Sequence, residues 1–379
     1  MSMILSLIVG ILGLYAFILT LSNIRYLSDL QSTIRLECSE ELVSVLIPAR
    51  NEEHTIGPCV RSLLAQNHRN LEILILDDGS EDGTAKVVHE LCKEDERIRL
   101  IPGKPLKRGW RGKIFAMQQL YEESRGDYLL FTDADTVHNP DSVSYGLSLL
   151  KGHNASMLSG YPKQVTRNLG VELLVSAMLF NPTLYVPFRL QERLQIPMFA
   201  MAIGQYLFLR RSALDHMEGF SHIKSEICDD VLLARSCVKL GEKQLFAPMS
   251  EALTCEMFPS FKESFHGLER SINGVVKRGW LSTILILAIV LVLLLLSFSP
   301  LIPLYLAFTG ASLVSIIPSL AGTLLFLSAW VINARFFKFS FSSAFLAHIT
   351  VFSVVLMYLH GLFLVLTGRG FDWKGRKIS

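Results

Sequence analysis

Leu42-Val43-Ser44-Val45-Leu46-Ile47 runs into Pro48-Ala49-Arg50-Asn51-Glu52, and Leu71-Glu72-Ile73-Leu74-Ile75-Leu76 runs into Asp77-Asp78-Gly79-Ser80. Both apolar runs end in polar punctuation, the pattern of buried parallel strands. Between them, residues 53–66 place Ile56, Val60, Leu63 and Leu64 at helical spacing, and residues 82–92 repeat that pattern. Strand, helix, strand, helix predicts an α/β fold built on a doubly wound sheet. A further helix over 113–124 leads into a third short strand at 128–132.

Outward from this core, residues 40–280 have the composition of a soluble domain long enough for one substantial core. The flanks differ. Half of the 379 residues are hydrophobic and only 18% are charged, and the apolar residues crowd the two ends of the chain, a membrane signature. Residues 3–22 carry no charge and match the ~20 residues a helix needs to cross a bilayer core. No Lys or Arg precedes them, no small-x-small cleavage pattern follows, and Arg25 and Arg35 lie on the far side. An uncleaved anchor over 1–23 with its C-terminal side in the cytosol is expected. At the other end, 281–298 and 344–366 read as spans. Residues 301–332, with Pro300, Pro303 and Pro318, read as one tilted span or a short hairpin. The tail 368–379 (Arg369, Lys374, Arg376, Lys377) is more basic than the loop holding Arg335 and Lys338. Keeping it inside favours four over three transmembrane helices in 281–367. The apolar stretch 170–209 is interrupted by Asn181, Pro182, Pro187, Arg189, Glu192, Arg193 and Pro197, so it reads as interfacial rather than spanning. The expected location is a cell membrane crossed several times, with the central domain in the cytosol.

A net charge of +2 and the lack of any stretch interleaving basic with aromatic residues set nucleic acid aside as a partner. The six cysteines, Cys38, Cys59, Cys92, Cys228, Cys237 and Cys255, form no C-x-x-C pair and read as reduced thiols.

The chemistry sits at the strand ends. In an open parallel sheet, ligands bind outside the carboxyl ends of the strands, near helix N-termini. Pro48-Ala49-Arg50-Asn51-Glu52 and Asp77-Asp78-Gly79-Ser80 therefore outline one pocket, whose carboxylates suit the N–H and O–H donors of a base or ribose. Helix capping by Asp78 and Ser80 is the competing reading. The third strand ends in Asp133-Ala134-Asp135, two carboxylates that suit Mg²⁺ or Mn²⁺ shared with a diphosphate; a solvated turn is the alternative. Gly109-Trp110-Arg111-Gly112-Lys113 puts cations at a helix start, where an anion would bind, and it fails the Walker pattern because Ile114 follows Lys113. Glu226-Ile227-Cys228-Asp229-Asp230 opens another helix. Its acids either complement the helix dipole or supply a general base toward an acceptor hydroxyl.

Taken together, these motifs resemble the family 2 inverting glycosyltransferases with the GT-A fold over about residues 43–276 and into the C-terminal spans. Gly204-Gln205, Arg210-Arg211 and Gly219-Phe220 also follow the family order. The likeness extends to membrane-bound members that glycosylate lipids, such as the staphyloxanthin-pathway carotenoid glycosyltransferase and the hopanoid and ceramide glucosyltransferases, which share the ending Trp373-Lys374-Gly375-Arg376. The resemblance implies a nucleotide-diphosphate sugar donor, a UDP-sugar first among them, and a lipid or other hydrophobic acceptor. It implies that Pro48, Ala49, Arg50, Asn51, Glu52 and Asp78 line the nucleotide, with Lys113 near the diphosphate. Asp133 and Asp135 would hold sugar-diphosphate and a divalent cation, Mg²⁺ or Mn²⁺, and Asp230 would be the base. The usual Glu-Asp pair is Asp229-Asp230 here. The Q-x-x-R-W motif of processive synthases is replaced by His266-Gly267-Leu268-Glu269-Arg270-Ser271, leaving Arg270 as a diphosphate contact. The rival readings are a polysaccharide synthase, a nucleotidyltransferase and an inactive membrane scaffold.

Overall fold

The computed structural model describes residues 2–34, 36, 39–226, 228–274, 280–367, 371–373 and 376–378. Arg35, Cys38, Ile227, Arg369, Lys374 and Gly375, named above, lie outside the described residues. The chain forms two compact units, one comprising Met1–Arg25, Thr166–Pro187 and Phe258–Ser379, the other Tyr26–Val165 and Phe188–Met257. Residues 166–187 and 258–280, assigned to the soluble domain on sequence grounds, thus group with the apolar ends.

The second unit is built on eight strands: β1 (Val43–Ala49), β2 (Leu71–Asp77), β3 (Ile98–Pro102), β4 (Tyr128–Phe131), β5 (Thr136–His138), β6 (Met157–Gln164), β7 (Leu207–Arg210) and β8 (Gln244–Cys255). They lie in the order β3-β2-β1-β4-β7-β6-β8-β5. The first four are parallel, joined by helices Ile56–Leu64, Thr84–Glu94 and Gly112–Glu123. The other half is mixed: β7 runs antiparallel to β4 and β6, β8 parallel to β6, and β5 antiparallel to β8. The expected doubly wound parallel arrangement thus holds over β3-β2-β1-β4, and the rest of the sheet is mixed. Gly160 allows the β6–β8 approach, since a Cβ there would fall 1.7 Å from the Ala247 carbonyl oxygen. The buried carboxylate of Glu72 on β2 is pushed up by burial, but Ser44 and the Arg125 backbone N–H and guanidinium outweigh that and hold it below the usual range.

The first unit is mainly helical, with a two-stranded antiparallel pair of Phe371–Trp373 and Arg376–Ile378. Ser2–Ser32, Leu313–Phe336 and Ala347–Leu366 are each long and apolar enough to cross a membrane. The number rises to five if two bent pairs, Thr283–Ser297 with Leu301–Phe308 (63°) and Leu169–Tyr185 with Phe188–Leu194, each count as one span. Beyond Met257 the described helices thus supply two such spans, or three with the bent pair counted as one. Residues 301–332 fail to form two spans because Leu313–Phe336 continues unbroken through Pro318. Ser319 N–H, beside that proline, donates to Ser6 Oγ at 2.9 Å on the first helix. Pro182 is likewise carried inside Leu169–Tyr185. The Thr183 carbonyl oxygen, whose helical partner would be the N–H that Pro187 lacks, accepts instead from Asn23 Nδ2 at 2.9 Å. Thr183 Oγ1 donates to Asn333 Oδ1 at 2.6 Å, and all three side chains are fully buried.

Helices Ser2–Thr33 and Leu313–Phe336 meet backbone to backbone. A Cβ on Gly13 would lie 2.0 Å from the Gly322 carbonyl oxygen, and one on Gly322 would lie 2.4 Å from that of Val9. Gly13→Leu should therefore lower the melting midpoint of the detergent-purified chain by an overpacking cost of about 1–3 kcal/mol. Leu14→Ala, at a half-exposed neighbour, should leave the midpoint nearly unchanged; equal midpoints for the two variants would refute the close approach.

Candidate functional site

The carboxyl ends of β1 and β2 lie side by side, with Ala49 opposite Asp77 and the Asp78 N–H donating to the Ala49 carbonyl at 2.9 Å. The loops beyond are knitted together. Arg50 Nη1 donates to the Asp78 carbonyl at 2.8 Å and lies 3.8 Å from its carboxylate. Asn51 N–H donates to Ser80 Oγ at 3.0 Å, Glu81 N–H to Asn51 Oδ1 at 2.9 Å, and Glu52 N–H to Thr84 Oγ1 at 2.7 Å. Asn51 takes a left-handed φ of 54°, which asparagine tolerates better than most residues. The loop Pro48–Glu52 and the loop beginning at Asp78 are thus held side by side. Asp77 Oδ1 accepts from Ser80 N–H at 3.0 Å within the loop, while Gly83 is the N-cap of helix Thr84–Glu94, so Asp78 and Ser80 do not cap that helix.

Asp133 and Asp135 follow β4, next to β1 in the sheet. Lys113, second residue of helix Gly112–Glu123, reaches Asp133 with Nζ 2.5 Å from Oδ1. Its loop is anchored by Arg111, whose backbone N–H and Nε donate to the carbonyls of Lys224 and Ser225, each at 2.7 Å. This ties the Gly-Trp-Arg-Gly-Lys loop to the segment that leads into helix Asp229–Lys239. At that helix start, Asp230 Oδ1 accepts from Val231 N–H at 2.7 Å and Oδ2 from Gly204 N–H at 2.9 Å.

Gly204 is the floor on which these groups meet. A Cβ built there would lie 3.3 Å from Lys113 Nζ, 3.7 Å from Asp230 Oδ2 and 3.9 Å from Asp133 Oδ2. Three motifs scattered over more than a hundred residues thus converge on one glycine. Neither Gly204 nor Asp229 stood among the candidate site residues; the Gly204-Gln205 pair in its family order was the available signal.

The electrostatics are lopsided. Burial raises Asp135 above the usual carboxylate range, and the charges of Asp133 and Glu52 add to it. Asp230 is raised by burial and then by Asp229, and Asp229 itself is raised by burial. Burial pulls the Lys113 ammonium down, but Asp133, Asp229 and Asp230 outweigh it, so Lys113 stays firmly protonated. Buried oxygens Asp135 Oδ1 and Asp229 Oδ2 have no hydrogen-bond partner among the described residues. A buried carboxylate oxygen left without a donor fits a cation. Among the described residues, no group of three or more His, Cys, Asp or Glu side chains is arranged to hold a metal alone. Asp133 and Asp135 are the carboxylates here that could contribute ligands to a divalent ion. The nearby thiols are poor candidates: burial pushes Cys59 up to about 12 and Cys255 well above its ordinary value, keeping both protonated. Arg270 lies on helix Phe261–Gly274 of the first unit.

Residues 44–217 match the model of Glycosyl transferase family 2. A UDP-Glc:alpha-D-GlcNAc-diphosphoundecaprenol beta-1,3-glucosyltransferase, WfgD, from Escherichia coli is 30% identical over 127 residues, covering 34% of this chain and 48% of the relative. Beta-monoglucosyldiacylglycerol synthase from Trichormus variabilis is 25% identical over 224 residues, 58% of this chain and 45% of the relative. The chain spans about half or less of the length of the curated relatives it matches. Among solved structures, the mannosyltransferase PcManGT from Pyrobaculum calidifontis, in complex with GDP-Man and Mn²⁺, superposes with a TM-score of 0.57. It is 15% identical, with 96% of this chain and 99% of that one covered, a likeness of fold. Over residues 44–217 the chain is thus similar to Glycosyl transferase family 2 proteins, and its likeness to PcManGT is one of fold, a GT-A-like mixed sheet.

Proposed function

We propose that the chain is an inverting, membrane-bound glycosyltransferase that moves a sugar from a nucleotide-diphosphate donor to a lipid or other hydrophobic acceptor. The observation that carries this reading is the convergence of Lys113, Asp133 and Asp230 on Gly204, beside the buried carboxylate of Asp135. The rim from Pro48 to Glu52, with Asp78, takes the nucleoside; Asp133 and Asp135 take the sugar-diphosphate and Mg²⁺ or Mn²⁺. A divalent ion bound there supplies Lewis-acid stabilisation of the leaving diphosphate. PcManGT, which carries Mn²⁺ and GDP-Man, supports the cofactor class. WfgD, which glucosylates GlcNAc-diphosphoundecaprenol, and the beta-monoglucosyldiacylglycerol synthase support the acceptor class, as do the span-length helices.

Transfer is a single displacement at the anomeric carbon. The bond from that carbon to the diphosphate oxygen breaks with its electron pair leaving on the diphosphate, the acceptor oxygen forms the new bond from the opposite face, and the configuration inverts. Asp230 takes the acceptor proton; its two backbone donors fix its direction, while burial makes it a stronger base than an exposed aspartate. Lys113 meets the charge that develops on the departing diphosphate. A polymer product would favour the polysaccharide-synthase reading, and release of inorganic diphosphate the nucleotidyltransferase reading.

Incubating membranes that contain the protein with a panel of UDP- and other nucleotide-sugars, then weighing the extracted lipids by mass spectrometry, should reveal a new glycolipid and a nucleoside diphosphate. A full panel with no sugar transferred to any lipid or polymer would reject the reading. Asp230→Asn should cut transfer to an alcohol acceptor by about 10²–10⁴-fold with donor affinity nearly unchanged, and retained turnover would remove Asp230 from the mechanism. Because the base works only when ionised and its pKa is raised, activity should fall as pH drops, with the inflection above the ~3.9 of an ordinary aspartate. Asp229→Asn, by removing a neighbouring charge, should move that inflection to lower pH; an unmoved or higher inflection would contradict the assignment.

A further inference from the structure

Three residues beyond Asp135, His138 lies buried on β5, behind the Asp133–Asp135 turn. Its Nε2 is 3.1 Å from Thr132 Oγ1 and 3.2 Å from Thr136 Oγ1, and its Nδ1 is 2.9 Å from Ser142 Oγ. A hydroxyl has one hydrogen to give. Thr132 Oγ1 gives its hydrogen to the Gln205 carbonyl at 2.8 Å, and Thr136 Oγ1 gives its own to the Asp133 carbonyl at 2.8 Å. With both hydrogens spent, these oxygens can only accept from His138. Its Nε2 therefore carries the proton, and Nδ1 accepts from the Ser142 hydroxyl. Burial pushes the imidazole down to about 3, in keeping with a neutral ring.

The two threonine oxygens stand only 2.9 Å apart. Two hydroxyl oxygens that both direct their hydrogens elsewhere repel at that distance unless a donor faces both of them, and the His138 Nε2–H is placed to do so. What it stabilises lies on both sides of the pocket. Through Thr136 it fixes the backbone of Asp133; through Thr132 it fixes Gln205, next to the Gly204 N–H that holds Asp230.

We infer that His138 is a positioning residue for the sugar-diphosphate site: its neutral Nε2–H clamps Thr132 and Thr136 and thereby locks the Asp133–Asp135 turn to the Gly204–Gln205 segment. The inference rests on the reading above, in which Asp133 and Asp135 hold diphosphate and metal. It distinguishes two parts of the donor. The nucleoside rim at Ala49–Glu52 and Asp78 forms no part of the His138 network, so loss of the clamp weakens diphosphate-metal binding and spares nucleoside binding.

The test is calorimetry on the full-length protein in detergent, with UDP plus Mn²⁺ and with uridine alone, or with GDP and guanosine where the donor panel selects a guanine nucleotide. His138→Leu should weaken the nucleoside diphosphate–Mn²⁺ complex at least tenfold while nucleoside affinity stays within about twofold. His138→Gln, whose side-chain N–H can reach the same oxygens, should restore most of the loss. If His138→Leu does not fold, as judged by its melting transition, Thr136→Val removes the hydrogen given to Asp133 at nearly constant shape and should show the same selective loss, with Thr136→Ser restoring it. Unchanged diphosphate–Mn²⁺ affinity in the folded variant, equal loss of nucleoside and diphosphate binding, or a glutamine variant as weak as leucine would each overturn the clamp. Failure of the unmodified protein to bind any nucleoside diphosphate would count instead against the functional reading itself.

Discussion

Four aspartates, Asp133, Asp135, Asp229 and Asp230, gather around one lysine, Lys113, and the rest of the candidate site follows from that imbalance. Carboxylates so placed and half-buried cannot all ionise without a further cation. One ammonium answers part of the charge, as the Lys113–Asp133 contact shows. Burial, joined by the neighbouring carboxylates, raises Asp135, Asp229 and Asp230 above the usual carboxylate range. On the proposed reading, a metal-bound diphosphate would take the place of protons on these raised carboxyls.

The mixed sheet is what brings these charges together. Its parallel half delivers two loops and the Asp133–Asp135 turn to one edge. The antiparallel strand β7 enters beside β4 and carries Gly204 and Gln205 just ahead of its first residue. Gly204 combines two properties there: its N–H orients Asp230, and its missing side chain leaves room for the Lys113 ammonium. An alanine in its place would set a methyl group 3.3 Å from Nζ, where the charged groups now meet.

Legibility in the sequence followed the physics of each element. Strands β1, β2 and β4 were readable because strands buried on both faces need unbroken apolar runs, and the helices between them because their apolar spacing is helical. The other half was not readable. Strands β5 and β7 are three and four residues long, while β6 and β8 contain Gly160, Pro162 and Pro248, which read as breaks until the neighbouring strand is known. Helices Leu169–Tyr185 and Leu313–Phe336 each carry an internal proline, Pro182 and Pro318, which the sequence alone reads as a break. At the site, Asp133, Asp135, Lys113 and Asp230 announced themselves through charge at strand ends and helix starts. His138, Thr132 and Thr136 did not, since a buried histidine between two threonines has no local signature and its tautomer follows only from counting hydrogens in three dimensions.

The central claim, that surplus carboxylates await a metal-bound nucleoside diphosphate, is tested most directly by titrating UDP with Mn²⁺ into the protein near neutral pH in buffers of different ionisation enthalpy. The account predicts metal-dependent binding accompanied by net proton release, as the raised carboxyls give up protons to the incoming cation. Binding of equal strength without the metal, with no protons released in any buffer, would contradict it.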